Sequence, residues 1–248
     1  MNSRLFQRDF TIMILGQIIS LFGNAILRFS LSLYVLEVTG SAAVFGTILA
    51  VSMIPTVLLS PFGGVLADRL PKQKIMTILD FVTAGLIVFY DAVYGSAGNL
   101  AAVTILLTLI QAFYQPSVQA SIPLLASQEQ LMAANGIVMQ VQALAGLLGP
   151  ILAGMLYGIG GVKPILAASA VCFFLSAVME LFLRIPHEKR EADGSPVRMA
   201  LLDLKGAVTY LIRENTCLFK LLIVVAGINL FLSALFIIGL PYLVKIYL

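Results

Sequence analysis

Long apolar runs broken by short polar stretches organise this chain. Runs of about twenty residues recur at roughly 11–36, 43–66, 75–94, 100–122, 134–158, 164–184 and 217–244. Each has the length of a helix that crosses about 30 Å of hydrocarbon, so the pattern predicts seven transmembrane helices. Most breaks are tight, such as Gly95 to Asn99, and predict hairpins between neighbouring spans. Residues 185–216 differ. They open with IPHEKREADGSPV, a polar stretch with Pro186, Gly194 and Pro196, which is the composition of a linker. Further on, Leu201, Leu204, Val208 and Leu211 fall on one helical face, with Lys205 and Arg213 elsewhere. That pattern fits either an amphipathic helix on the membrane surface or a solvated linker helix.

Composition agrees with the pattern: 60% of residues are hydrophobic and 11% charged. One soluble core of this length could not hide so much apolar surface, so lipid must act as solvent. Basic residues set the expected orientation. Arg4, Arg8, Arg69, Lys72, Lys74 and the seven bases between Arg184 and Lys220 put 12 of 15 on one side. That side is expected to be cytoplasmic, with the N-terminus inside a plasma or inner membrane. Topology thus accounts for the net charge of +3, and no nucleic-acid partner is expected. The first run is too long for a signal peptide and lacks a small-residue cleavage pattern. Two scattered cysteines, Cys172 and Cys217, and one histidine, His187, suggest no disulfide, metal or cofactor. No HExxH, GxSxG or phosphate-binding glycine-lysine motif is present, so an enzyme is not expected.

Two motifs carry more. The second break reads Gly64-Val65-Leu66-Ala67-Asp68-Arg69, followed by Lys72 and Lys74. It resembles the signature loop of the major facilitator superfamily, although Pro71 and Gln73 stand where a glycine and a base are usual. The resemblance implies that Gly64, Asp68, Arg69, Lys72 and Lys74 form a latch between two halves of a transporter. Span 5 contains Gly149-Pro150 and Gly154, similar to the glycine-proline motif of the antiporter branch of that superfamily. LEVTGSAAVFG at 36–46 and QPSVQASIPLLASQEQLMAANG at 115–136 resemble the branch with macrolide-efflux-like permeases and siderophore exporters.

The resemblance implies an all-α integral membrane fold: a six-helix bundle of two inverted three-helix repeats over residues 1–184. An echo between PFGGVLADRL after span 2 and PILAGMLYGI in span 5 fits such repeats. A cytoplasmic linker, 185–216, and span 7, 217–248, would follow as the start of a second bundle. Because the family has twelve spans, a missing C-terminal half would be required for transport.

Polar residues in the spans fall into stripes. Gln17, Ser20, Asn24, Arg28 and Ser32 share one face of span 1. Thr104, Thr108, Gln111, Gln115 and Gln119 share a face of span 4, and Asn135, Gln142, Gly146 and Gly149 one of span 5. Unpaired polar groups are costly in hydrocarbon, so the stripes face either protein or water. The resemblance places these spans around a central cavity, making Gln17, Ser20, Asn24, Arg28, Gln111, Gln115 and Gln142 candidate substrate contacts. Arg28 either meets an anionic substrate there or pairs with an acid. Glu37 and Asp91 are candidate proton-coupling acids; Asp80 shares a face with Asp91, and Glu180 has Arg184 as its nearer base. Span 4 lacks the arginine that many proton antiporters of the superfamily carry. The expected function is efflux of small amphiphilic molecules, with membrane lipid, substrate and protons as partners. The alternative is a membrane scaffold or regulatory subunit without transport of its own.

Overall fold

The computed structural model describes residues 7–93, 97–186, 201–202, 205–206 and 208–234. These residues are helical nearly throughout, with no strand among them. Six long helices form the first compact unit: α1 (Arg8–Thr39), α2 (Ala42–Arg69), α3 (Lys72–Val93), α4 (Ala97–Leu125), α5 (Leu131–Gly160) and α6 (Val162–Leu181). The second unit, Gly194–Leu248, contains a π-helical turn at Tyr210–Glu214 and then α7 (Thr216–Ala234). Of the expected amphipathic face, Leu201 and Val208 are exposed and helical within this unit, while Leu204 lies outside the described residues. Residues 235–244 of the expected seventh span also lie outside them.

Five helices are long and apolar enough to cross a bilayer among the described residues. The apolar stretches Gly46–Ser60 of α2 and Thr216–Leu232 of α7 are shorter. In hydrocarbon every backbone group must be paired within the protein, and helices do this segment by segment. Helical hydroxyls follow the same rule. Ser30, Ser32, Thr83, Thr104, Thr108, Ser117 and Ser121 each donate to the carbonyl one turn back. Where the chain turns sharply it uses glycine: α1 ends at Gly40, whose φ of 62° needs no Cβ and whose N–H bonds the Leu36 carbonyl. Ser41 then caps α2, its hydroxyl accepting from the Val44 N–H.

Packing follows an exchange symmetry. The major contacts join α2 with α4, α1 with α5, α1 with α6, α3 with α4, and α3 with α6. Exchanging α1, α2 and α3 for α4, α5 and α6 turns this set into itself, as two inverted repeats require. Chain neighbours α1 and α2, α2 and α3, α4 and α5, and α5 and α6 touch only sparsely. The hairpin expectation therefore holds for α3 and α4 alone; elsewhere the partners come from the other repeat.

The tightest approaches occupy symmetry-related places. A Cβ on Gly63 of α2 would stand 2.3 Å from the Ala112 carbonyl oxygen of α4. A Cβ on Gly149 of α5 would stand 2.4 Å from the Ala25 Cβ of α1. Pro116 explains the first contact in part: lacking an N–H, it leaves the Ala112 carbonyl without its helical donor, and Gly63 leaves room for that oxygen. At the neighbouring Gly64 a Cβ meets nothing within 4 Å.

The interior holds two main apolar cores. One includes Phe10, Met13, Met76, Val118, Ile122, Val138 and Leu183, at the end where Arg69 and Lys72 lie. The other includes Leu27, Leu31, Ile87, Tyr90, Leu100, Val103 and Phe173 toward the opposite end. On four helices the change from one core to the other falls at buried polar residues: Gln17 and Ser20, Asp80, Tyr114, and Ser176 with Glu180.

Candidate functional site

Two recesses meet at Arg28. The first, about 320 Å³, is lined by Arg28, Phe29, Ser32 and Val35 of α1, Ile48 of α2, Thr104 and Thr108 of α4, and Gly146 and Pro150 of α5. The second, about 470 Å³, is lined by Arg28, by Met53, Thr56 and Ser60 of α2, and by Thr108, Gln111, Gln115, Pro116 and Gln119 of α4. The α4 stripe predicted from its spacing thus lines this wall.

The chemistry of the wall is lopsided. Arg28 Nε donates to Asn24 Oδ1 at 2.7 Å, one turn earlier on the same face. Among the described residues no carboxylate pairs with its guanidinium, which leaves the remaining N–H groups for the recess. The hydroxyls of Thr104 and Thr108 donate to their own helix at 2.8 and 2.7 Å, so toward the recess they offer lone pairs only. Gln115 Nε2 reaches Gln111 Oε1 at 3.5 Å. Pro150 removes the helical donor of the Gly146 carbonyl, and both residues border the recess. The result is one cation and several neutral polar groups on an otherwise apolar wall, suited to a molecule with a large apolar body and an anionic or hydrogen-bonding group.

Two residues of the α1 stripe stand elsewhere. Gln17 and Ser20 are buried inside the bundle at 1% and 3% exposure, facing α4 rather than a recess. Gln17 Nε2 donates to Tyr114 Oη at 2.6 Å, and Tyr114 Oη donates to Glu180 Oε1 at 2.8 Å. Helical phase assigns a face but not the neighbour on it, and this face passes from protein to recess between Ser20 and Asn24. Gln142 is half-buried and borders neither recess. Glu180 takes Tyr114 as its partner, not its nearer base Arg184, whose backbone N–H bonds Asp9 Oδ1 at 3.1 Å. Glu37 accepts a hydrogen bond from Tyr157 of α5, and Asp91 is exposed; neither meets Arg28. The Tyr114 cluster is absent from the expectations because its members lie 66 and 97 residues apart in the chain. A usable signal existed: Asp80 and Glu180 are acids within apolar spans of the symmetry-related helices α3 and α6.

The latch loop closes α2 at Arg69 and opens α3 at Lys72, with Pro71 accepting from the Ile75 N–H. The side chain of Asp68 lies outside the described residues. Gln73, which replaces a base in the motif, donates through Nε2 to the carbonyls of Glu180 and Leu181 at 3.1 and 3.0 Å. It thereby gives the Leu181 carbonyl a donor and adds one to the Glu180 carbonyl, which already accepts from the Leu183 N–H. Gly149 is the packing contact of the antiporter-like motif, whereas a Cβ on Gly154 meets nothing within 4 Å.

Comparison with known proteins agrees with this geometry. Macrolide efflux protein A of Streptococcus pyogenes is 28% identical over 216 residues, 84% of this chain and 52% of the relative. The protein of that name from Enterococcus faecalis is 28% identical over 192 residues, 75% of this chain and 58% of its own. The uncharacterized MFS-type transporter YkuC of Bacillus subtilis is 19% identical over 217 residues, 84% and 50%. A crystal structure of the peptide transporter POT in complex with sulfate superposes with a TM-score of 0.54 at 16% identity, over 89% of this chain and 49% of that one. The chain spans about half the length of these proteins. The family model described as Major Facilitator Superfamily matches residues 13–247, nearly the whole chain. By that match, and by a bundle with the exchange symmetry of two inverted repeats, the chain belongs to the major facilitator superfamily.

Proposed function

We propose that this chain is the N-terminal bundle, linker and following helix of a plasma-membrane efflux permease for small amphiphilic molecules. The observation that carries the reading is the wall of α1, α2, α4 and α5, where Arg28 and the α4 stripe border a common space. A wall on one bundle encloses nothing by itself, so alternating access calls for a second bundle rocking against it around a midplane site. The names of the macrolide-efflux relatives support drug-like amphiphiles as the substrate class. Arg28 favours those that carry a carboxylate or another anion. The 12 bases on one side support an N-terminus in the cytoplasm, and proton antiport is the proposed driving force.

The test is transport by the full-length protein in sealed vesicles with an imposed pH gradient. Accumulation that follows the gradient and collapses with a protonophore is the expected result. The competing reading is a membrane subunit without transport of its own. It predicts no accumulation by vesicles holding the purified protein, and accumulation only when a separate transporter is added.

A further inference from the structure

Asp80 of α3 and Glu180 of α6 are 0% and 1% exposed, in the layer between the two apolar cores. Glu180 meets the Tyr114 hydroxyl at 2.8 Å, and Asp80 lies against Ser176, one turn before Glu180 on α6. The hydrogen bonds there can be counted. Tyr114 gives its one proton to Glu180 Oε1 and receives from Gln17. Ser176 gives its proton to the Gly16 carbonyl at 3.1 Å. Asp80 has only the Ser176 hydroxyl beside it, whose one proton is shared with that carbonyl, and Glu180 Oε2, Gln17 Oε1 and the Thr77 hydroxyl are left with no partner. Thr77 is 5% exposed and sits on the Asp80 face of α3, three residues earlier. Two uncompensated carboxylates in such a place cost several kcal/mol each.

Among the described residues, no base offsets them from the packed helices. Tyr114 is the titratable group from α4; α1 presents only Gln17 and Ser20, and α5 carries no charged residue. Arg69, Lys72, Lys74 and Arg184 stand at the helix ends. What the layer lacks is a positive charge or further donors for these oxygens.

We propose that Asp80 and Glu180 together bind one proton, making the polar layer between the two cores a proton site separate from the Arg28 wall. The proposal rests on the proton-antiport reading for its role in transport, though not for the existence of the site. Uptake places one hydrogen on a carboxyl of the pair, taking it from two negative charges to one, and release returns that hydrogen to water. A proton fits better than a metal ion because neither of the two wall recesses reaches Asp80 or Glu180, and a proton needs no void. The link to the wall is α1. Gln17 and Ser20 contact Tyr114 in the layer, and Asn24 and Arg28 continue the same stripe one and two turns on.

Infrared difference spectra of the purified full-length protein, between acid and alkaline pH, test the site directly. The wild type is expected to show the carbonyl stretch of a protonated carboxyl, shifted in deuterium oxide. The band should persist in Glu37→Gln and Asp91→Asn and vanish in the Asp80→Asn/Glu180→Gln double variant. The singles Asp80→Asn and Glu180→Gln, each leaving one acid, should shift it, which keeps the test open if the double variant fails to fold. A band unchanged in the singles, or removed by sodium at constant pH, overturns the proposal. In vesicles the same variants should keep substrate exchange while losing accumulation driven by the pH gradient. A wild type with the band but without gradient-driven transport supports the site and overturns the antiport reading instead.

Discussion

Arg28 Nε and Asn24 Oδ1 are 2.7 Å apart on α1, and that hydrogen bond aims the guanidinium along the wall shared by both recesses. A charged group held by a neutral neighbour keeps its full charge for whatever enters. Arg28→Ala should therefore weaken transport of anionic amphiphiles roughly tenfold, about 1.4 kcal/mol, and that of neutral ones far less. Competition assays with anionic and neutral analogues of equal size check this. Equal losses for both classes would make Arg28 a packing residue.

Gln73 is the member of the latch loop whose work inside the bundle is visible. Gln73→Ala removes two donors from the end of α6 and should lower stability by about 1–2 kcal/mol. Gln73→Glu should be worse, since it sets an anion against the carbonyl end of a helix. Gln73→Arg, which restores the base usual in the motif, keeps donors at the same place and should behave as wild type. Apparent melting temperatures in detergent rank the three.

Gly149 and Gly63 should tolerate no side chain, while Gly146 and Gly64 should accept alanine. Gly149→Val or Gly63→Val forces a Cβ into Ala25 or the Ala112 carbonyl, at a cost of about 1–3 kcal/mol. Yield of monodisperse protein and its apparent melting temperature report the difference.

Tyr157 and Glu37 join α5 to α1 near the ends of those helices. If this tie is what Glu37 does, Tyr157→Phe and Glu37→Gln should each lower the melting temperature, and the double variant no further. Accumulation driven by the pH gradient should survive all three.

Much of the fold was legible because lipid enforces a simple rule. Within the described residues the apolar runs fall on helices; α1, for example, extends the run at 11–36 to Arg8–Thr39, and Gly40 shows why it stops there. Partners were harder to read. The tight breaks suggested hairpins, whereas α2 packs on α4 and α1 on α5, because the closest fits lie between repeats at Gly63 and Gly149. The site divides in the same way. Spacing grouped Arg28 and the α4 stripe on helix faces, and the family resemblance set those faces toward a cavity, but neither could tell that Gln17 meets Tyr114, since that contact joins residues 97 positions apart. Nor could it tell that Glu180 turns from Arg184 to Tyr114, which depends on how α4 and α6 converge.

That α1, α2, α4 and α5 line a water-filled substrate path is the central claim. Cysteine labelling tests it most directly, in full-length protein whose Cys172 and Cys217 are replaced by alanine and serine. Single cysteines at Thr104, Gln115 and Ser32 should react with a membrane-impermeant thiol reagent, and substrate should slow the reaction. Val88→Cys, on the exposed apolar face of α3, should stay unreactive. If the wall positions label no faster than position 88, with or without substrate, these helices line no aqueous path and the account is wrong.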